Sequence, residues 1–447
     1  MADATNHKEK LITRDVALIM GATFFFMAAN MLGNPIIAGY SGSLGANGVM
    51  MGVVAAALTL TSLFCRPVAG NLADKTSKRV LAFAGAAIYV VADVWYACAG
   101  NELSLLLARI VNGVGFACCS VCLSTWMAML LPISRMGAGM GLYGTMNALA
   151  QAIGPALGIK LSKMVGYRPT FLVGAALAVL MVLCVVLVRD PGLPLSRKKE
   201  RFVRQVEAGE RPGEPLPEAV ATATEEVVEN RSLADHGKPV KAPKFDFNRL
   251  FEVKVIPIAL IFMMFAVPYF ANQSFLVDYA SDRHLAIAVS MFFPFYAIAI
   301  LLLRIFMKDW FDTKSFLFFL VICTFGNLLM LLCLTVMTNN LVMLAAGIFT
   351  AFGYGLMSSV TQAQAVLIAG KERSGMANTT YYAGIDLGMS IGPLLGGVLY
   401  AGVPIQWFYV ILMATMPIAW IVYAVFHRTI NVPKHPGPIK SVEVHHC

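Results

Sequence analysis

The chain contains 447 residues, of which 58% are hydrophobic and only 13% are charged. Its mean hydropathy of +0.71 excludes an ordinary soluble globular protein and indicates a chain embedded in a lipid bilayer. The net charge of +9 would by itself allow a nucleic-acid-binding protein, but the placement of the charges gives it another explanation.

Twelve apolar segments follow along the chain, each long enough for a helix to cross about 30 Å of hydrocarbon. They are too uniformly apolar for barrel strands, in which polar and apolar residues alternate. The first lacks a small-residue cleavage site, so we interpret it as a helix and not as a signal peptide. An all-α membrane protein is predicted, with spans at 16–40, 46–70, 80–99, 103–131, 137–162, 168–188, 254–279, 285–307, 315–337, 341–369, 376–402 and 405–426.

Lysine and arginine placement predicts the orientation of these spans. With a cytoplasmic N-terminus, the segments on that side carry 27 of the 34 lysines and arginines. This is the positive-inside pattern, and it accounts for the net charge without a nucleic-acid partner. Both termini are therefore predicted to be cytoplasmic.

A polar segment at 189–253, rich in proline, glutamate and lysine, separates six spans from six. Such a composition is typical of a flexible linker. The predicted organisation is a cytoplasmic tail at 1–15, a six-helix bundle at 16–188, a cytoplasmic linker at 189–253, a second six-helix bundle at 254–426 and a cytoplasmic tail at 427–447.

The two bundles repeat at an offset of 238 residues. "IGPALG" at 153–158 aligns with "IGPLLG" at 391–396, and Arg66 and Asp74 align with Arg304 and Asp312. Several regions in one register indicate duplication of a six-helix unit. Parallel repeats of this kind are typical of transporters whose substrate site lies between the halves near mid-membrane.

Three motifs resemble those of the major facilitator superfamily, and the resemblance covers nearly the whole chain apart from the linker and the tails. "GNLADKTSKR" at 70–79 resembles its loop motif between the second and third helices, although Ser77 stands where glycine is usual. "LARIVNGVG" at 107–115 resembles the fourth-helix motif, and "NALAQAIGPALG" at 147–158 resembles the fifth-helix motif of antiporters. The twelve-helix drug:proton antiporter type is the most similar, which implies two pseudo-symmetric bundles in a bacterial inner membrane.

The resemblance implies a gate at the loop motif, which would lock to neighbouring helix ends when the transporter faces outward. Asp74 near a helix N-terminus would also gain about 0.3–1 kcal/mol from the helix dipole. The second-half copy has Lys308 where Gly70 stands, so we expect a weaker latch there. The alternative is that the positive charges only set the orientation. The predicted gating residues are Arg66, Gly70, Asp74, Lys78, Arg79, Arg304 and Asp312.

Two Gly-Pro motifs stand at equivalent places in the halves. Proline inside a helix removes a backbone hydrogen bond and bends the helix, whereas flanking glycines allow close helix approach. Bending and packing both remain open as interpretations. The residues concerned are Gly154, Pro155, Gly158, Gly392, Pro393 and Gly396.

Ionisable residues inside spans are costly and usually mark a pathway or a proton relay. Asp386 lies near the middle of the eleventh span with no evident cation at its depth, and such a carboxylate would bind a proton readily. Asp278 at the outer end of the seventh span, Asp93 in the third and Arg109 in the fourth are the other proton-coupling candidates. A purely structural role, with hydrogen bonds to nearby hydroxyls, is the alternative for Asp386.

Polar side chains recur at helical spacing in the fifth and tenth spans, as expected for helices that face a water-filled interior. Together with amides in other spans they predict a site for a small amphipathic organic molecule. The substrate-cavity candidates are Asn30, Asn34, Asn112, Tyr143, Asn147, Gln151, Asn272, Gln273, Tyr354, Ser358, Gln362 and Tyr382.

The sequence thus predicts a monomeric, proton-coupled antiporter that exports small amphipathic compounds. An uptake symporter for a sugar or organic acid is the first alternative, and a membrane sensor or scaffold without transport is the second. The chain contains no GxxxxGK[ST] phosphate loop and no cluster of metal ligands, so we expect neither an enzyme nor a cofactor, and no metal.

Overall fold

The computed structural model describes residues 12–131, 136–193, 252–307, 310, 313–369 and 374–431, and every regular element within them is helical. The N-terminal half contains α1 (Arg14–Gly33), α2 (Ile37–Ser43), α3 (Gly48–Lys75), α4 (Lys78–Cys98), α5 (Glu102–Leu130), α6 (Met136–Val165) and α7 (Tyr167–Leu187). The C-terminal half contains α8 (Ile256–Asp282), α9 (Phe292–Phe306), α10 (Phe316–Thr335), α11 (Asn340–Thr350), α12 (Leu356–Ala369), α13 (Ser374–Gly402), α14 (Phe408–Leu412) and α15 (Thr415–Ile430).

The helices agree with the predicted spans. Ten helical stretches in the described part of the chain are long and apolar enough to cross a membrane. The 30-residue helix α6 and the shorter α9 occupy the fifth and eighth predicted spans. The fold is thus the expected all-α membrane architecture.

Three predicted spans are not single regular helices. The first divides into α1 and α2 at Pro35, which has no N–H to continue the helical hydrogen-bond ladder. The tenth passes through a π-helical turn, Ala351–Gly355, between α11 and α12. The twelfth divides into α14 and α15.

Polar residues at the helix starts explain where several helices begin. Asn101 accepts a hydrogen bond of 2.8 Å from the backbone N–H of Ser104 at the start of α5, and Asn47 accepts one of 2.9 Å from Met50 at the start of α3. Each cap satisfies a backbone donor that has no partner inside the helix. Local sequence therefore fixes where these helices begin.

Small residues let the helices of each half approach closely. A Cβ added at Gly154 of α6 would lie 2.6 Å from the Cβ of Met31 in α1. In the other half, a Cβ at Gly392 of α13 would lie 2.7 Å from the carbonyl oxygen of Val267 in α8. Both helices continue through Pro155 and Pro393, so the glycines of the Gly-Pro motifs are packing positions in this structure.

Contact between the halves is concentrated at one end of the molecule. We call the end where α1 begins and α15 finishes the terminal end, and the opposite end the far end. At the far end one apolar cluster contains residues of both halves, among them Met51, Val54, Phe275 and Leu399. The other two apolar clusters each belong to a single half. The halves are therefore packed together at the far end.

Helices α3 and α13 form the seam between the halves. They run antiparallel, and a Cβ at Gly48 would lie 2.9 Å from the Cβ of Ala401, while one at Gly52 would lie 2.5 Å from the carbonyl oxygen of Pro393. Towards the terminal end Gly70 of α3 has no atom within 4 Å of its added Cβ, and each of the two remaining apolar clusters stays within one half. Within the described residues, the seam thus closes the far end and leaves the terminal end open.

Candidate functional site

An ion pair joins the two seam helices, α3 and α13. Nη2 of Arg66 in α3 lies 3.1 Å from Oδ1 of Asp386 in α13, and the two side chains are 28% and 6% exposed. The expectation that Asp386 lacks a cation partner is therefore wrong, because the partner comes from the other half of the chain.

Hydroxyl groups extend this contact towards the far end. Ser390 donates a 2.8 Å hydrogen bond to the backbone oxygen of Asp386, and its Oγ lies 3.0 Å from Oγ1 of Thr59. The guanidinium of Arg66 lies 6.0 Å from the ring centre of Phe116, within reach of a weak cation–π interaction. Ion pair and hydroxyl contact together tie α3 to α13 at mid-helix.

Sequence reasoning missed Thr59 and placed Arg66 in the gating loop. Arg66 lies instead within α3, nine residues before its end. The available signal was its position inside an apolar span, where an uncompensated charge is costly.

Four of the predicted cavity residues lie on the terminal-end side of the ion pair and are at least partly accessible. Tyr382 is 44% exposed and accepts a 3.3 Å hydrogen bond from Nε2 of Gln362. Tyr143 of α6 is half-buried on the same terminal-end side, in the other half of the chain. Nδ2 of Asn147 donates to the Tyr143 backbone oxygen at 3.1 Å.

A stack of buried aromatic rings lies in the C-terminal half, and it includes the predicted cavity residue Tyr354, which is 8% exposed and packs into the core instead of lining the cavity. Tyr354, in the π-helical turn, stacks on Tyr269 with ring centres 4.0 Å apart and an interplanar angle of 3°. Phe262 stacks between Tyr354 and Tyr381 at 5.5 and 5.3 Å. Tyr381 donates a 2.7 Å hydrogen bond to the backbone oxygen of Ser358. The predicted cavity residues Ser358 and Gln151 are both half-buried.

The amides of the first and seventh spans do not line the opening. Asn34 accepts from Arg109 at 3.0 Å, and Asn272 accepts from the hydroxyl of Tyr409 at 2.8 Å. Asn30, Asn112 and Gln273 are likewise buried, at 1–4% exposure. Their assignment to the substrate cavity is corrected, because the helix faces that carry them turn into packed contacts.

Arg109 is buried inside the N-terminal half. Its Nε donates to the backbone oxygen of Val54 at 3.3 Å, and its Nη2 donates to that of Ala55 at 3.2 Å, both on α3. Asp93 of α4 lies in the same interior and accepts a 3.2 Å hydrogen bond from Nδ2 of Asn112. These two proton-coupling candidates are therefore together, but away from the seam between the halves.

Asp278 is near the far end. It lies within α8, which continues to Asp282, and a Cβ at Gly39 of α2 would stand 2.5 Å from its Oδ1. Asp278 thus contacts the N-terminal half where the halves are packed together. The structure does not bring it close to Asp386 or Asp93.

The loop between α3 and α4 is held by the end of α7. Nη2 of Arg79 donates a hydrogen bond to the backbone oxygen of Val186 at 2.6 Å. The backbone N–H of Lys78 donates to the backbone oxygen of Gly192 at 2.8 Å, and the hydroxyl of Ser77 donates to the backbone oxygen of Pro191. Asp312 lies outside the described residues, as do the side chains of Asp74 and Arg304. The gating role stays a prediction.

Comparison with known proteins shows the family. A family model for the Major Facilitator Superfamily matches residues 19–325 and 258–445. The quinolone resistance protein NorA of Staphylococcus aureus is 24% identical over 157 residues, which are 35% of this chain and 40% of NorA. An uncharacterized MFS-type transporter of Methanocaldococcus jannaschii is 27% identical over 160 residues, which are 36% of this chain and 42% of that protein. Each match spans less than half of the relative.

Solved structures share the fold. A POT family transporter in complex with a thioalcohol-conjugated peptide superposes with a TM-score of 0.70 at 13% identity, over 93% of this chain and 96% of the other. A POT family transporter in complex with 5-aminolevulinic acid also gives 0.70, at 14% identity. The chain is a multi-pass membrane protein that belongs to the Major Facilitator Superfamily.

Proposed function

We propose that this transporter exports small amphipathic organic compounds in exchange for protons, by alternating access between the two halves. The observation that carries the proposal is the Arg66–Asp386 ion pair on the seam. A proton on Asp386 removes the negative charge that holds the guanidinium of Arg66. Proton binding would therefore loosen the seam, which links the proton to the conformational change.

The accessible residues favour an amphipathic substrate. Tyr143, Asn147, Gln362 and Tyr382 offer hydrogen-bonding groups from both halves, and the rings of Tyr143 and Tyr382 add apolar surface. None of these four side chains carries a full charge at neutral pH. We therefore propose a substrate recognised by hydrogen bonds and ring contacts.

Export is favoured over uptake by two observations. The fifth-helix motif "NALAQAIGPALG" resembles that of antiporters, and the NorA relative is described as a quinolone resistance protein. The proposed setting is a bacterial inner membrane with both termini cytoplasmic. In that orientation the open terminal end faces the cytoplasm, where an exporter collects its substrate.

The test uses purified protein in liposomes that enclose a pH-sensitive dye. With a pH gradient imposed, we would add lipophilic cations, sugars, organic acids and dipeptides in turn. Antiport predicts proton movement opposite to that of an amphipathic compound, and Asp386→Asn should abolish it. Glu102→Gln, which removes an acid from the first turn of α5, is the matched control and should transport normally.

Other outcomes would contradict the proposal. Proton movement in the same direction as a sugar, organic acid or dipeptide would make the protein an uptake symporter. If no compound class causes proton movement, transport by this protein is not coupled to protons. Full activity of Asp386→Asn would show that the proton is carried elsewhere.

A further inference from the structure

A closed polar cluster occupies the N-terminal half, away from the Arg66–Asp386 seam. It contains Asn30 of α1, Asp93 of α4, and Arg109 and Asn112 of α5, each 1–4% exposed. Tyr89 joins it by donating a 3.1 Å hydrogen bond to Oδ1 of Asn30. A buried cluster of this size inside a membrane half is costly, so its composition calls for a function.

Several polar atoms of this cluster have no hydrogen-bond partner among the described residues. They are Oδ2 of Asp93, Oδ1 of Asn112 and Nδ2 of Asn30. Buried polar atoms are almost always paired, and exceptions mark bound water, an ion or a functional strain. Two of the three, Oδ2 of Asp93 and Oδ1 of Asn112, are acceptors that lack a donor, whereas Nδ2 of Asn30 and the hydroxyl of the neighbouring Tyr96 are donors that lack an acceptor.

A proton on Asp93 supplies such a donor. An ionised carboxylate only accepts, whereas the protonated acid carries one O–H. Arg109 does not neutralise Asp93 by direct contact, since its nitrogens bind Asn34 and the carbonyls of Val54 and Ala55, and the two are not within ion-pair distance. An ionised Asp93 would thus be a buried charge with a single neutral hydrogen bond from Asn112.

The groups facing Asp93 come from three helices. Tyr89 and Tyr96 of its own helix and Arg109 of α5 are the titratable side chains that interact with it electrostatically. From α7, Gly174 brings only backbone close, with an added Cβ 3.3 Å from Oδ2. Arg109 is therefore the one cation that acts on Asp93 within the described residues.

We propose that Asp93 is a second proton-binding carboxylate, which acts on the same seam helix as the Arg66–Asp386 pair. The link is Arg109, which holds the backbone of α3 at Val54 and Ala55, one turn before Thr59. When Asp93 loses its proton, its charge attracts the guanidinium of Arg109 and weakens that hold. The inference rests on the proposed proton coupling and adds a site to it.

Infrared spectroscopy of the purified full-length protein in nanodiscs tests this without a known substrate. Acidification of the wild type should produce C=O stretching bands of protonated carboxylic acids. Asp93→Asn should remove one component, and Asp386→Asn should remove a different one. Glu102→Gln, at the start of the same helix as Arg109, should leave both components in place.

A second variant keeps the test decisive if Asp93→Asn does not fold. Asn112→Leu removes the hydrogen bond to Oδ1 and should shift the Asp93 component without deleting it. Unchanged spectra in either variant would overturn the inference. A third outcome is possible: Asp93→Asn removes a band, but Asp386→Asn leaves the spectrum unchanged. This would contradict proton binding by Asp386 and would support proton binding by Asp93.

Discussion

Arg66 and Asp386 stand in different halves of the chain, 320 positions apart in the sequence, and their side chains meet at 3.1 Å. Their helices are packed from this contact to the far end, where Gly48 meets Ala401. The ion pair therefore lies where the closed part of the seam ends and the opening begins.

Removal of this ion pair should shift the balance between conformations. A hydrogen bond between charged groups contributes about 1.5–3 kcal/mol, which corresponds to a change of roughly tenfold to a hundredfold in an equilibrium. Asp386→Asn should therefore increase the population with an open far end. Spin labels at Lys160→Cys and Trp407→Cys would report this as longer distances by pulsed electron resonance.

The exchanged pair, Arg66→Asp with Asp386→Arg, is the control for this measurement. It restores opposite charges at the same place, so the short-distance population should return at least in part. If the distances stay the same in Asp386→Asn, the ion pair does not hold the seam.

Cross-linking the far end should stop transport. An added Cβ at Gly48 lies 2.9 Å from Cβ of Ala401, which is shorter than the separation of about 3.5–4.5 Å in a disulfide, so the two helices must move slightly apart for the bridge to form. In a chain whose nine native cysteines are replaced, Gly48→Cys with Ala401→Cys should form a disulfide under oxidation. Transport should cease and return on reduction, measured as dye response in liposomes.

The control pair combines Ala401→Cys with Gly100→Cys, since Gly100 has no atom within 4 Å of an added Cβ. This pair should remain reduced and active. Transport that continues through the closed disulfide would argue against opening of the far end during the cycle.

Gly158→Ala should destabilise the N-terminal half. The added methyl group would meet the backbone carbonyl of Leu32 in α1, and overpacking of this kind costs about 1–3 kcal/mol. Gly144→Ala on the same helix has open space and should be neutral or stabilising. Thermal unfolding in detergent compares the two, and equal midpoints would contradict the close α1–α6 contact.

Tyr382→Phe should weaken substrate binding. It removes the hydroxyl that would hydrogen-bond to a bound substrate, and a typical hydrogen bond contributes about 1 kcal/mol, roughly fivefold in affinity. We expect a higher KM in counterflow with little change in maximal rate. Phe306→Leu, at a 78% exposed position of α9, should leave KM as it is; an unaltered KM in Tyr382→Phe would remove this residue from the site.

Sequence alone determined the helical architecture, the two-bundle organisation and the family, because apolar span length and motif spacing are local properties of the chain. It also singled out Asp386 as a charge inside a span, whereas it assigned Arg66 to the gating loop. The tertiary structure decided that they form a pair and that Asn34 and Asn272 turn away from the opening. Helical periodicity shows which residues share a face of a helix. It does not show which other helix that face contacts, because α3 and α13 are far apart in the sequence and meet only in the folded protein.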